Sequence, residues 1–179
     1  MVDVDAVLEG AGLKNEKVRE YVRYWAGVTG PDNIEVVGVA DDARLIQESL
    51  DASEIVPAGE GLYYSRSYYK DTARSEERTI VATNKASDKG VYNNWRPAPE
   101  MKAKLTELMR GASAGKTMYV IPYLMAAPGS PLEAYAAGVQ LTDNRSVVLH
   151  MNRMARVSVD YINNRPNFYI FNHRGRLLR

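Results

Sequence analysis

The segment Thr117–Met125 (TMYVIPYLM) constrains the fold most, because it carries no charged side chain over nine residues. Such an apolar run predicts a buried β-strand. Pro122 interrupts the run, and a proline has no N–H to donate to a neighbouring strand. It therefore predicts an edge position or a bulge.

The surrounding segments predict a mixed α/β (α+β) domain, with a mixed sheet flanked by helices. Ile34–Val39, Thr79–Thr83 and Ala136–Thr142 are short, apolar or β-branched runs that predict further strands. Capping signals predict the helices. These are expected from Asn15 to about Trp25, from Asp41-Asp42, from Pro97, and from Val147 to about Ile162 after Asp143, Asn144 or Ser146.

The composition narrows the function classes. The chain has 179 residues, a formal net charge of +1 and no cysteine. One domain with a real core is expected, and disulfides, Cys-ligated zinc and thiol nucleophiles are excluded. The charge balance does not favour nucleic acid as a partner. The acidic N-terminus and the absence of a long apolar run indicate no signal peptide and no membrane association, so a cytoplasmic location is expected.

The stretch Gly111–Thr117 (GASAGKT) superficially resembles a phosphate-binding loop, which would give a nucleotidase. Such a loop reads G-x-x-x-x-G-K-[ST] and lies between a strand and a following helix. Here the two glycines are one residue too close, and a helix precedes while a strand follows. A glycine-terminated helix that enters a strand is the better interpretation, so Lys116 is not assigned to GTP.

Few residues could carry catalysis. His150 and His173 are the only histidines, and we expect His150 to be packed or capped and His173 to be solvated. The segment Tyr63–Arg78 holds Arg66, Lys70, Arg74 and Arg78 among tyrosines and hydroxyl residues. These cations could converge on an anionic ligand, since a guanidinium binds carboxylate or phosphate in a bidentate manner. A basic surface with tyrosines packed beneath it is the alternative, and residue types alone slightly favour it.

Several ordered blocks closely resemble the N-terminal domain of GTP-dependent phosphoenolpyruvate carboxykinases. They are Gly115–Tyr123 (GKTMYVIPY), Gly129–Leu132 (GSPL), Gly138–Asp143 (GVQLTD) and Met151–Arg156 (MNRMAR), with Asp71–Thr79 (DTARSEERT) upstream. The tyrosine-rich stretch before that block looks most like archaeal members. Blocks in the same order with similar spacing are far more specific than a single short motif.

The resemblance implies an enzyme of gluconeogenesis that converts oxaloacetate and GTP to phosphoenolpyruvate, GDP and carbon dioxide with Mn²⁺ or Mg²⁺. It implies that Arg74 binds the carboxylate of oxaloacetate or phosphoenolpyruvate. For this arginine alone, the resemblance favours binding of an anionic ligand over a place in a basic surface. No residue is assigned as catalytic, cofactor-binding or metal-binding. The family's nucleotide loop, metal ligands and guanine pocket lie further along the chain, so GTP and GDP are expected to bind a missing C-terminal region.

We therefore expect residues 1–162 to form the substrate-side domain of a carboxykinase. Residues 163–179 diverge from the family pattern and are expected to be a truncated or disordered tail, as a truncated, frameshifted or deliberately shortened reading frame would explain. Alone, the chain is expected to be inactive. The alternative hypothesis is a catalytically incomplete fragment that acts only as a folding or interaction module.

Overall fold

The computed structural model describes residues 2–65, 79–91 and 94–173. Its helices are α1 (Val4–Gly10), α2 (Glu16–Thr29), α3 (Asp42–Asp51), α4 (Ala98–Met109), α5 (Arg145–Met154) and α6 (Asp160–Asn163). Its strands are β1 (Asn33–Val36), β2 (Val56–Gly59), β3 (Leu62–Tyr64), β4 (Val81–Thr83), β5 (Trp95–Pro97), β6 (Thr117–Leu124), β7 (Ala137–Thr142), β8 (Arg156–Val157) and β9 (Tyr169–His173). The predicted mixed α/β class is confirmed.

The chain divides into two compact units. The larger unit comprises residues 1–65 and 111–179 and holds the main sheet and the β2–β3 hairpin. The smaller unit comprises residues 66–110 and holds α4 with β4 and β5, which pair in parallel. In the smaller unit the Trp95 Nε1–H donates to Thr83 Oγ1 at 2.8 Å, which ties the two short strands together.

The main sheet has the strand order β1-β6-β7-β9, and β8 pairs with the far end of β6. β6 runs parallel to β1 and antiparallel to β7 and β8, while β9 runs parallel to β7. The sheet is therefore mixed, as the sequence predicts.

Both faces of β6 are buried, and its alternating side chains belong to two separate cores. Met118, Val120 and Leu124 lie in the core covered by α1, α2 and α6. Tyr119, Ile121 and Tyr123 lie in the core covered by α3 and α5. The period of two along a strand thus divides one apolar run between two helical layers.

The prediction that Pro122 marks an edge strand or a bulge is wrong. β6 is an interior strand, and Pro122 pairs in regular register with Val139 of β7. Its carbonyl accepts a hydrogen bond from the Ser158 N–H at 3.1 Å, on the side opposite to β7. The Pro122 nitrogen faces that same side, between the last residue of β1, which pairs with Val120, and the last residue of β8, which pairs with Tyr123.

The prediction of one helix from Val147 to Ile162 is also wrong. α5 ends at Met154, and Ala155 is extended, with φ −138° and ψ 166°. Arg156 and Val157 then pair with the end of β6 as β8. Past the end of β1, the backbone groups of β6 on that side have no partner until β8 pairs with them. A helix continued beyond Met154 would leave these groups unpaired, so strand pairing overrides helix propensity here.

Residues 163–173 of the expected tail are described. Asn163 closes α6, and Tyr169–His173 adds β9 to the main sheet. The proposed domain boundary at residue 162 stays a prediction.

Asn15 joins the start of α2 to the end of α6. Its Oδ1 accepts from the Val18 N–H, which confirms Asn15 as the predicted helix cap. Its Nδ2 donates to the carbonyls of Ile162 at 2.8 Å and Arg165 at 2.9 Å. Because Asn15 is buried, this one amide holds the start of α2 against the end of α6 and the residues that follow it.

Asn15→Ala should lower the free energy of unfolding by about 2–4 kcal/mol, since it removes a helix cap and the two side-chain hydrogen bonds to the carbonyls of Ile162 and Arg165. Asn144→Ala is the matched control, because exposed Asn144 caps α5 through bonds to Ser146 only. It should cost about 1 kcal/mol. Urea unfolding of both variants measures the difference, and equal losses would contradict the joining role of Asn15.

Asp5 of α1 is bound by two arginines of α2. Its Oδ1 lies 2.8 Å from Arg19 Nη2 and 2.7 Å from Arg23 Nη2. Hydrogen bonds from Arg23 and then from Arg19 lower the pKa of the Asp5 carboxyl from 3.8 to about 2. The lowered pKa means that the ionised carboxylate stabilises the folded state above about pH 4, and that this stabilisation is lost as the pH falls toward 2.

Asp5→Asn should therefore flatten the fall of the melting temperature between about pH 4 and pH 2, while lowering the melting temperature at neutral pH. Glu20→Gln, which removes a carboxylate from an exposed position of α2, is the control. Thermal unfolding followed by circular dichroism from pH 2 to pH 7 checks this. A wild-type acid profile in the Asp5→Asn protein would show that this carboxylate does not act as described.

Candidate functional site

Arg74, the predicted substrate-binding residue, lies outside the described residues, as do Arg66, Lys70 and Arg78. Its role therefore stays a prediction. The elements that border this segment in sequence are described. β3 ends at Tyr64 before it, and β4 begins at Val81 after it.

Two tyrosines on the N-terminal side of this segment are exposed. Tyr63 and Tyr64 lie on β3 and are 40% and 50% exposed, and Leu62 beside them is 63% exposed. β2 and β3 form a two-stranded antiparallel hairpin whose residues are all exposed. The alternative of a basic surface with tyrosines packed beneath it concerns residues outside the described ranges and stays a prediction.

Paired strands of the smaller unit follow, in sequence, the segment that carries Arg74. The Val81 N–H donates to the Asn94 carbonyl at 3.0 Å, and Val81–Thr83 pairs in parallel with Trp95–Pro97. The helix α4 follows directly, with Pro97 at its N-cap position as the sequence indicated. A short rigid element therefore follows the segment that carries Arg74.

The stretch Gly111–Thr117 does not have the geometry of a phosphate loop. It follows α4 and leads into β6, and Gly111 and Gly115 have φ of 67° and 76°. The Gly115 N–H donates to Asp32 Oδ1 at 2.9 Å, so this amide is used within the protein. A phosphate loop instead directs several amides and a helix N-terminus at the anion.

Lys116 is paired with a buried carboxylate. Its Nζ lies 3.2 Å from Asp143 Oδ2, and the Asp143 side chain is 1% exposed. The hydroxyl of buried Ser113 donates to the same oxygen at 3.4 Å. Sequence reasoning considered Asp143 only as a possible helix cap, whereas Asn144 fills that role. The position of Asp143 directly after β7 was the one available signal that its side chain returns to the loop before β6.

The turn Gly129–Leu132 is held by Glu133. The Glu133 carboxylate accepts from the Gly129 N–H and from the Arg165 guanidinium. The Gly129 hydrogen bond, followed by Arg165, lowers the pKa of Glu133 below its ordinary value. Gly129 has a φ of 78°, a conformation that glycine adopts without strain. The turn is therefore a built structural feature, tied to the segment after α6.

The sheet also contains a close aromatic contact at Gly138. Tyr123 of β6 lies opposite Gly138 of β7, and a Cβ at Gly138 would lie 2.6 Å from the Tyr123 Cζ. Only a glycine leaves room for this ring. Burial raises the pKa of the Tyr123 hydroxyl above its ordinary value.

The two histidines lie on different elements, α5 and β9. His150 is exposed on α5, so the expectation that it would be packed or capped is wrong. His173 is the last residue of β9. Among residues 2–65, 79–91 and 94–173, no three histidine, aspartate or glutamate side chains group as metal ligands would.

The sequence blocks that surround these structural features match one family. The family model described as the phosphoenolpyruvate carboxykinase N-terminal domain matches residues 20–175. The chain belongs to this family. The match includes the segment of Arg74 and the blocks on β6, β7 and α5, and it confirms the family expected from the sequence.

Curated proteins that are similar to this chain are named GTP-dependent phosphoenolpyruvate carboxykinase. The chain is 33% identical to the GTP-dependent phosphoenolpyruvate carboxykinase of Renibacterium salmoninarum over 162 residues, which is 87% of this chain and 26% of that protein. It is 31% identical to the enzyme of Chlamydia caviae over 84% of this chain and 26% of that protein. A region of 95 residues is 45% identical to the enzyme of Neocallimastix frontalis, covering 53% of this chain and 15% of that protein. The chain thus spans about a quarter of the length of the relatives that it matches most fully.

The loop before β6 does not have the features of a nucleotide site, because its Gly115 amide and its Lys116 ammonium are bound within the protein. No helix in the described part of the chain is long and apolar enough to cross a membrane.

Lys116→Ala should leave the GTP affinity of the protein unchanged, because Lys116 Nζ is bound to Asp143 and the loop amides do not point at a common anion. Isothermal titration with Mg·GTP compares it with wild type and with Lys104→Ala, which removes an exposed lysine from α4. A saturable GTP interaction that Lys116→Ala alone abolishes would contradict this and would restore the nucleotidase hypothesis.

Proposed function

We propose that this chain supplies the substrate-binding part of a GTP-dependent phosphoenolpyruvate carboxykinase. The observation that carries the proposal is the family match over residues 20–175, which includes the DTARSEERT block with Arg74. The reaction of that family turns oxaloacetate and GTP into phosphoenolpyruvate, GDP and carbon dioxide. We infer a role in gluconeogenesis in the cytoplasm.

Arg74 is proposed to bind the substrate carboxylate. A guanidinium presents a planar pair of N–H donors that matches the two oxygens of a carboxylate, and it stays charged at every physiological pH. Oxaloacetate and phosphoenolpyruvate both carry a carboxylate next to the reacting carbon. A fixed contact to this group would hold the substrate in one orientation throughout the reaction, which is the contribution expected of a positioning clamp.

Arg66, Lys70 and Arg78 are proposed to contribute a positive field rather than specific contacts. They lie within eight residues of Arg74 in the same segment, and that field would attract a dianionic substrate. This difference between a direct contact and a field makes Arg78 a matched control for Arg74, because both substitutions remove one guanidinium from the same segment.

GTP and the divalent metal are proposed to bind outside this chain, in the part of the relatives that the match does not cover. When bound, the metal would supply a Lewis acid for a carboxylate or phosphate oxygen. We propose that the 179-residue chain alone binds the substrate carboxylate but does not catalyse phosphoryl transfer, which requires phosphates and metal to be positioned together.

Arg74→Ala should weaken binding of oxalate and phosphoenolpyruvate to the 179-residue protein by about tenfold or more, as expected when a charge-assisted bidentate contact is lost. Arg78→Ala should weaken it by about threefold or less, since only a screened field changes. Isothermal titration at two salt concentrations measures both. Equal losses in the two variants, removed together by salt, would show a nonspecific basic surface instead of a clamp.

The turnover assay separates the two functional hypotheses. The 179-residue protein is incubated with oxaloacetate, GTP and Mn²⁺, and phosphoenolpyruvate formation is followed. We expect two results together: no turnover, and oxalate binding that depends on Arg74. Measurable turnover would overturn the proposed absence of nucleotide and metal sites. Absence of both turnover and carboxylate binding would favour a folding or interaction module. The observation that supports this second hypothesis is that the match covers about a quarter of the relatives' length.

A further inference from the structure

The β2–β3 hairpin is exposed along its length, whereas the residues directly before it are held by the core. Residues 56–64 are all exposed. Ile55, the residue before β2, is 5% exposed and packs in the core covered by α3 and α5. A two-stranded hairpin on its own is marginally stable in water. The order of these strands therefore depends on what fixes residues 53–55, which we call the hairpin base.

The hairpin base has a backbone conformation that requires support. Ser53 has a φ of 56°, in the left-handed region that residues with a Cβ seldom adopt. The Ser53 N–H donates to the Leu50 carbonyl at 2.9 Å. The Glu54 N–H donates to the Ser49 carbonyl at 2.8 Å, which closes the end of α3. A residue persists in such a conformation where the contacts around it over-determine its position.

Arg145 of α5 binds this base from the other side of the helix layer. Its Nε lies 2.8 Å from Glu54 Oε2 and its Nη2 lies 2.9 Å from Glu54 Oε1, so the contact is bidentate. Its Nη1 also donates to Glu48 Oε2 of α3 at 3.3 Å. Only 22% of the Arg145 side chain is exposed, so solvent screens it less than a fully exposed cation. A bidentate contact fixes the orientation of the carboxylate as well as its distance.

The position of Arg145 within its own helix is electrostatically unfavourable. It is the first residue of α5, at the end of the helix dipole that favours an anion. Arg153, in the last turn of α5, has the favourable position and binds Asp42 at the start of α3. The stability of α5 therefore does not explain a cation at position 145, whereas the carboxylates of Glu48 and Glu54 do.

We propose that Arg145 is a positioning residue that fixes the β2–β3 hairpin and, through it, the start of the segment that carries Arg74. β3 ends at Tyr64, ten residues before Arg74 in the chain. A fixed start reduces the number of positions open to that segment, so less order has to be gained when a ligand binds. This inference rests on the proposed function, because the ligand concerned is the carboxylate that Arg74 is proposed to bind.

The test compares Arg145→Met with Arg153→Met in the 179-residue protein. Each variant removes one cation of α5 that is paired with a carboxylate, but Arg145 is the one bound to the hairpin base. In Arg145→Met, ¹⁵N relaxation should give amide order parameters below about 0.6 in β2 and β3, while those in β6 and β7 stay near about 0.85. In Arg153→Met, all four strands should keep the wild-type values.

Glu54→Gln tests the same contact from its other side. It should lower the order parameters of β2 and β3 as Arg145→Met does, and the double variant should lose no more than either single variant. Additive losses in the double variant, unchanged order in β2 and β3, or an equal loss in Arg153→Met would overturn the positioning role. Because Glu54 is a surface carboxylate, this variant decides the question even where Arg145→Met fails to fold.

Oxalate affinity separates this inference from the proposed function. Arg145→Met should weaken Arg74-dependent oxalate binding by about threefold or more, because the segment then starts from a less ordered hairpin. Arg153→Met removes the same charge and should leave the affinity unchanged. A less ordered hairpin with wild-type oxalate affinity would overturn the inference and leave the role of Arg74 intact. Absence of oxalate binding by the wild-type protein would contradict the proposed function, and the order parameters would still decide whether Arg145 fixes the hairpin.

Discussion

β6 buries both of its faces, and the positions of the helices and of the other strands in the main sheet follow from this constraint. Met118, Val120 and Leu124 require a helical layer on one side, and Tyr119, Ile121 and Tyr123 require another. α1, α2 and α6 supply the first layer, while α3 and α5 supply the second. The loops that enter and leave this strand are consequently fixed by buried polar contacts such as that of Asp143. Lys116, in the loop before β6, is bound to Asp143 in the loop after β7, which is why it is not free to bind nucleotide.

Local sequence signals predicted the elements well where one interaction decided the outcome. Asn15 caps α2, and the apolar runs of β6 and β7 form the sheet, because capping and burial act within a few residues. The errors arose where distant chain segments competed with local preference. Pro122 is tolerated inside the sheet because it lies between the last residues of β1 and β8, which pair with Val120 and Tyr123. The helix beyond Met154 gives way because β6 offers backbone partners to Arg156 and Val157, which no local pattern reveals.

The candidate site was reached differently. Residue types alone slightly favoured a basic surface around Arg74, and only the ordered blocks of the carboxykinase family singled out this arginine. The structure adds the borders of the segment, with exposed Tyr63 and Tyr64 before it and the paired strands β4 and β5 after it. The pairing of buried Asp143 with Lys116 had a single sequence signal, the position of Asp143 directly after β7, because it joins residues 27 positions apart through the register of β6 and β7.

The central claim is that Arg74 binds a substrate carboxylate, and arginine side-chain resonances test it most directly. In a chain labelled with ¹⁵N-arginine, oxalate titration should shift the Nε–H signal of Arg74, assigned with Arg74→Lys, more than any other. Arg145 and Arg153 provide internal references, because their guanidinium groups are bound to Glu54 and Asp42. A saturable shift confined to Arg74 and its neighbours is the predicted result. An unmoved Arg74 signal, or equal shifts of all arginines, would contradict the account.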